Sequence, residues 1–193
     1  ELTRINEDLH KVMSDRLKTE QTLVENENKY RSIFNSAPIC IWEEDFSLLK
    51  KYLINLTDQG IKDFREYFDA HPDAVQKAVD MVTIIDVNNT VLNTYQVKEK
   101  STLLHSLRDI FTDESLGVFK EEIIAIAEGK SHFESECINQ TLDGRKLNMY
   151  LRMTIPTQVS DFSRMIVAMI DITARKKHEL QLSKIRDALL SLT

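Results

Sequence analysis

Ten positions near the start of the chain keep an unbroken three-four spacing: Leu2, Ile5, Leu9, Val12, Arg16, Thr19, Leu23, Asn26, Tyr30 and Ile33. That is the period of a left-handed coiled-coil seam, and neither Gly nor Pro occurs before Pro38. The spacing predicts one continuous helix over 1–34, roughly 50 Å long. A helix with such a stripe needs a partner. Arg16, Thr19 and Asn26 make the seam imperfect, and polar seam positions trade stability for register and oligomer state. A parallel homodimer is the preferred reading, over a helix folded back on its own domain.

At the other end, Met165-Ile-Val-Ala-Met-Ile-Asp-Ile-Thr173 runs straight into a charged tail. It reads as a buried β-strand that stops at an Asp-x-Thr corner and feeds a helix. Asp171 or Thr173 is placed to cap that helix by accepting from its free N–H groups. Leu182, Ile185 and Leu189 continue the three-four rhythm, so a second connector helix is expected over 174–193. What lies between reads as one domain, 35–173.

Composition limits the function classes. A net charge of -6 argues against nucleic-acid binding, which uses a basic face. No apolar run approaches the ~20 residues of a membrane span. The first residue is Glu1, so the chain is expected to be a piece of a longer, cytoplasmic protein, with any membrane contact made by other parts. Cys40 and Cys137 lie far apart without metal spacing, which fits a reducing compartment.

Along the chain, Ile39–Trp42 is a short apolar strand. Ser47 is a plausible N-cap for a helix over 48–56, and further helices are expected over 63–69 and 73–80, with Pro72 in the first turn of the latter. Residues 81–87 are β-branched and read as a strand; residues 90–95 fit either a strand or a helical turn. Helical segments follow at 102–111 and 114–128. Then the pattern alternates. Strands at 133–141 and 146–155 flank Asp143-Gly144, a hairpin turn signal, and 163–172 is the last strand.

Particular motifs within this order resemble a PAS domain, the sensory box of multi-domain bacterial and archaeal signalling proteins. Lys29-Tyr-Arg-Ser-Ile-Phe-Asn-Ser-Ala-Pro38 is similar to the family's entry motif, and Asp86-Val-Asn88 to its strand-end Asn. Glu128-Gly129, Phe133-Glu134 and Asp143-Gly144 fall at positions familiar from its second half. Asp171-Ile172-Thr173 followed by Ala-Arg-Lys-Lys resembles its C-terminal signature. The resemblance spans about residues 29–176. It implies an α+β fold, a five-stranded antiparallel sheet with helices on one face, carrying here a helical insert at about 44–80.

The resemblance also implies a cupped sheet able to hold a ligand. Trp42, Ile84, Phe111, Phe119, Tyr150 and Met169 are the expected walls. The identity of a bound group stays open. A flavin-thiol site needs a helical cysteine motif that neither Cys40 nor Cys137 provides, and both are read as small packed hydrophobes. Haem needs an axial ligand, for which His105 is the single internal candidate. A small metabolite is compatible. His178-Glu179-Leu180 echoes a phosphoacceptor box but lacks what should follow it. Glu43-Glu44-Asp45 is an acidic cluster able to attract a cation, but three consecutive acids point in different directions, and a solvated loop, or charge favouring the next helix, is the preferred reading.

No phosphate loop, nucleophile elbow or acid/base pair appears, so the chain is not expected to be an enzyme by itself. The expected role is a dimeric sensory or relay module. It passes a change through Asp171-Ile172-Thr173 to a downstream output domain, with a sensor histidine kinase as first choice. The alternatives are a structural dimerisation spacer with a filled core, a regulatory domain of a diguanylate cyclase or phosphodiesterase, and a haem-based redox or gas sensor.

Overall fold

The computed structural model describes residues 2–104 and 107–190, with side chains from residue 9 onward. The chain divides into two compact units, residues 1–37 and 38–193.

The first unit is the helix α1, Leu2–Ser36. Its surface carries the ladder pairs Arg16–Glu20 and Glu27–Arg31, both at 3.0 Å, of the kind that supports an isolated helix by a few tenths of a kcal/mol. Leu9, Val12 and Leu23 are each more than half exposed, and Tyr30 is 43% exposed and stacked on Phe34. The side chains of Leu2 and Ile5 lie outside the described residues. Among the described residues no helix is long and apolar enough to cross a membrane.

In the second unit, β1 (Cys40–Asp45) is followed by three helices, α2 (Ser47–Asp58), α3 (Phe64–Ala70) and α4 (Pro72–Val79). Then come β2 (Thr83–Val87), α5 (Asn89–Tyr95), short 3-10 turns at Lys100–Thr102 and Leu107–Asp109, and α6 (Asp113–Ala127). A meander of β3 (His132–Gln140), β4 (Lys146–Thr154) and β5 (Met165–Asp171) leads into α7 (Thr173–Leu190). Among the described residues the five strands form one antiparallel sheet in the order β2-β1-β5-β4-β3. The two ends of the strand sequence thus meet in the middle of the sheet, β1 against β5.

Strand alternation assigns the faces. Cys40, Trp42 and Glu44 of β1 stand beside Met169, Val167 and Met165 of β5, all buried on one face. Ile166 and Ile170 point the other way and are nearly half exposed. The stretch expected to be a buried strand is therefore buried on one face and partly exposed on the other. α6 is buried over much of its circumference, because it has the sheet on one side and α2, α3 and α4 on the other.

Several boundaries differ from the sequence reading. Glu43, Glu44 and Asp45 are strand residues, not a solvated loop, because β1 pairs on both edges through Glu44. Ser47 is the first residue of α2 rather than its cap, and Asp45 Oδ1 accepts from its N–H at 2.7 Å. Residues 90–95 are helical: Asn88 caps α5 by accepting from Val91 N–H at 3.1 Å. The helix expected over 102–111 is replaced by two 3-10 turns. His105 lies outside the described residues. At the β3–β4 hairpin Gly144 adopts φ +85°, a conformation that suits glycine.

Candidate functional site

β1 carries two unlike side chains into the middle of the domain. Trp42 is 1% exposed, and its Nε1 has no hydrogen-bond partner. Two residues on, hence on the same face, stands Glu44, 5% exposed and without a cationic partner among the described residues. Burial pushes its carboxyl up to about 8, so it holds a proton at neutral pH. The β1–β2 register shifts between Glu43 and Glu44, an irregularity of the sort that re-aims side chains beside functional sites.

From the other side α6 presents Phe119 and, three residues on, Glu122. Glu122 is 4% exposed. Burial raises its carboxyl well above the ordinary range, and the Glu44 charge adds to the effect. These residues line a cavity of about 30 Å³ together with Phe111, Leu151 and Met169. That is room for about two water molecules. Phe111 packs edge to face on Phe119 at 5.7 Å. It also lines an open groove of about 470 Å³ shared with Arg108, Thr112 and Lys146. Phe111 thus stands between the groove and the cavity.

A buried polar chain runs beside the cavity. Ser115 Oγ donates to Asn139 Oδ1 at 3.1 Å, and Asn139 Nδ2 donates to Tyr95 Oη at 2.9 Å. Tyr95 Oη in turn donates to Met169 Sδ at 3.8 Å, while the Tyr95 ring meets Trp42 edge to face at 5.3 Å. Cys137 and Cys40 are buried, free and on strands, and burial raises both thiols. Neither is therefore a thiolate at neutral pH. Among the described residues no group of three or more acidic, His or Cys side chains could hold a metal ion.

Of the six expected wall residues, the fold brings Trp42, Phe111, Phe119 and Met169 to one cavity. Ile84 is buried on β2 but lines a separate recess with Val79 of α4, Leu104 and Leu107. Tyr150 faces away: it alternates with the buried Met149 and Leu151, and its hydroxyl bonds Glu134. Sequence reasoning missed Glu122, and it met Glu44 only as part of an acidic cluster, not as a buried neighbour of Trp42. The available signals were alternation from Trp42 and a three-residue step from Phe119. Of the stretch 44–80 expected to be the helical insert, only Glu44 lines the cavity among the described residues, and it belongs to β1.

The exit corner ties α7 to the sheet. Asp171 Oδ1 accepts from Thr173 N–H at 2.8 Å. Thr173 Oγ1 accepts from Asn148 N–H of β4 at 2.9 Å, and Ile172 N–H donates to the Asn148 carbonyl at 2.8 Å. Arg175 (2.8 Å) and Lys176 both pair with Glu136 of β3. Asp171 thus accepts from the first N–H of the helix, whereas Thr173 turns its hydroxyl to β4. Leu182, Ile185 and Leu189 are exposed farther along α7, as is His178.

No family model and no curated protein matches the sequence. Solved structures do match in shape. The chain is similar to an RNA-binding light-oxygen-voltage receptor, with TM-score 0.53 and 12% identity over 84% of this chain and 38% of that one. It is also similar to the PAS domain of a protein from Colwellia psychrerythraea (TM-score 0.49, 13% identity, 79% and 98% covered). A third match is the PAS domain of an HTR-like protein from Haloarcula marismortui (TM-score 0.48, 15% identity, 80% and 98% covered). At such identities the likeness concerns the fold alone. With its five-stranded antiparallel sheet and its helices packed over the inner face, the chain has a PAS-like fold.

Proposed function

We propose that the chain is a sensory or relay module, itself without catalytic activity, whose inner cavity biases the direction or stability of α7. The observation that supports this is the route from cavity to exit helix. Met169 lines the cavity and lies two residues before Asp171 on β5, while the first turn of α7 is bonded to β4 and β3. A ligand that binds one arrangement of the helix ~1.4 kcal/mol more tightly shifts the equilibrium tenfold. The seams on α1 and α7 support a homodimer, and a downstream output domain of the sensor histidine kinase type would receive the change.

Hydrogen exchange tests the coupling. Thr173→Val removes the bond to Asn148 and is expected to speed exchange in the first turn of α7 while leaving β1 and β5 protected. Equal loss of protection in sheet and helix would mean a purely structural contact. For the dimer, Leu9→Glu with Leu23→Glu is expected to give monomers in analytical ultracentrifugation; a surviving dimer would assign the α1 seam another purpose. The small cavity favours one second reading, a relay or spacer with a filled core. In that case Trp42→Ala lowers stability without changing α7 exchange beyond that loss.

A further inference from the structure

We propose that the cavity between β1 and α6 is a receptor site for a small primary ammonium ion, held by Glu44 and Glu122 against the aromatic walls Trp42, Phe111 and Phe119. The inference names the ligand class for the sensory site and so rests on the sensory reading. Three observations support it independently. The first is charge. Two carboxyl groups share one buried cavity, and no Lys, Arg or His pairs with either among the described residues. The other titratable groups facing them are Cys137 of β3 and Tyr95 of α5, with Cys40 of β1 beside Tyr95. All three are neutral at neutral pH, so nothing in the core balances a carboxylate.

The second observation is the unsatisfied donor. Trp42 lines the same cavity, and its buried Nε1–H has no acceptor. Buried polar groups left unpaired are rare, and each calls for a water, an ion or a ligand. The third is the wall chemistry. An indole and two phenyl rings offer faces to a cation, which a desolvated site rewards. A primary ammonium supplies up to three donors to the two carboxyl groups, and a hydroxyl on the same molecule supplies the acceptor that Trp42 lacks. Methylammonium, with its two heavy atoms, is near the size that about 30 Å³ of cavity admits, and the longer ethanolammonium requires Phe111, which fronts the open groove, to move aside.

Charge balance predicts a signature. In the free protein Glu44 is protonated at neutral pH and burial favours the neutral form of Glu122, so binding a cation must expel a proton from the pair to solvent. The protein binds the cation and releases H⁺; the net charge of the site is unchanged. With Glu44 releasing its proton near pH 8, affinity should rise about tenfold from pH 6 to pH 7.

The test uses the 193-residue chain, titrated with methylammonium chloride and ethanolammonium chloride and, for ionic strength, with potassium chloride. Trp42 is the single tryptophan, so its fluorescence and its indole N–H resonance report on the site alone. The expected result is a saturable shift of the indole signal, stronger for ethanolammonium and absent with potassium. Calorimetry in two buffers of different ionisation enthalpy should show about one proton released at pH 7. Glu44→Gln and Glu122→Gln should each weaken binding at least about tenfold. Both replace a neutral acid by a neutral amide of similar shape, and thermal melts confirm that they fold. No saturable shift, no proton release, or binding unchanged in both variants would overturn the proposal. The sensory reading fails separately. If acetamide, a neutral probe, shifts both Trp42 and α7 hydrogen exchange while the ammonium ions do not, the ligand class is wrong and the relay stands. If ammonium binds with the expected signature but α7 exchange is unmoved, the ligand class stands and the relay falls.

Discussion

Replacing Glu44 by Gln should stabilise the protein, and the gain should grow with pH. The folded carboxyl holds its proton up to about pH 8, whereas in the unfolded chain it ionises around its ordinary 4.5. Between those values the native state binds a proton that the unfolded state has released, so native stability falls as pH rises. Below 4.5 both states are protonated and above 8 both have released the proton, so the contribution is flat outside the window. At ~1.36 kcal/mol per pH unit, the wild-type penalty is ~1 kcal/mol at pH 5, ~3 kcal/mol at pH 7 and ~5 kcal/mol at pH 9. Gln carries no proton to lose, and Glu44→Gln removes the whole pH-dependent part. Urea unfolding followed by Trp42 fluorescence measures it directly. With m near ~2 kcal/mol per molar, the midpoint of Glu44→Gln should exceed wild type by ~1.5 M at pH 7 and by much less at pH 5. A midpoint difference constant from pH 5 to pH 9 would refute the idea that burial keeps Glu44 neutral.

Asn88 is fully buried and joins two backbone segments by three hydrogen bonds: its Oδ1 accepts from Ile41 and Val91 N–H, and its Nδ2 donates to the Ile39 carbonyl at 2.8 Å. Asn88→Ala strands all three groups and should cost ~3 kcal/mol in urea unfolding; a loss under ~1 kcal/mol would mean that water replaces the side chain. Arg65 makes a forked contact with Glu121 at 2.6 and 2.5 Å, yet both side chains are well exposed, at 53% and 39%. Arg65→Ala should therefore leave the urea midpoint close to wild type, and the remaining difference should shrink when salt shortens the screening length.

Elements whose evidence is local were legible in the sequence. The three-four seam of α1 and its freedom from Gly and Pro describe a helix without reference to any other segment. The β3–β4 hairpin announces itself by alternation on both sides of Asp143-Gly144, because only glycine adopts the Gly144 backbone at no steric cost. The Asp171–Thr173 corner joins a strand pattern to a helix pattern within three residues. Ile166 and Ile170 misled in a limited way: β-branched residues suit a strand whether its second face is covered or not.

Tertiary structure decided the rest. Three successive acids look solvated by composition, and only pairing of β1 with β5 on one edge and β2 on the other turns Glu44 inward beside Trp42. Leu103, Leu107 and Ile110 have helical spacing, yet their segment forms short turns anchored by Lys100 to Asp86 and by Arg108 to Asp80. Tyr150 was assigned to the wrong face because one residue of strand phase reverses every side chain, and that phase is set by the partner strand. Glu122 meets Glu44 from an element some eighty residues away in the chain. Propensity and period act over neighbouring residues. The desolvation that keeps those carboxyls protonated is a property of the assembled core, which no local pattern encodes.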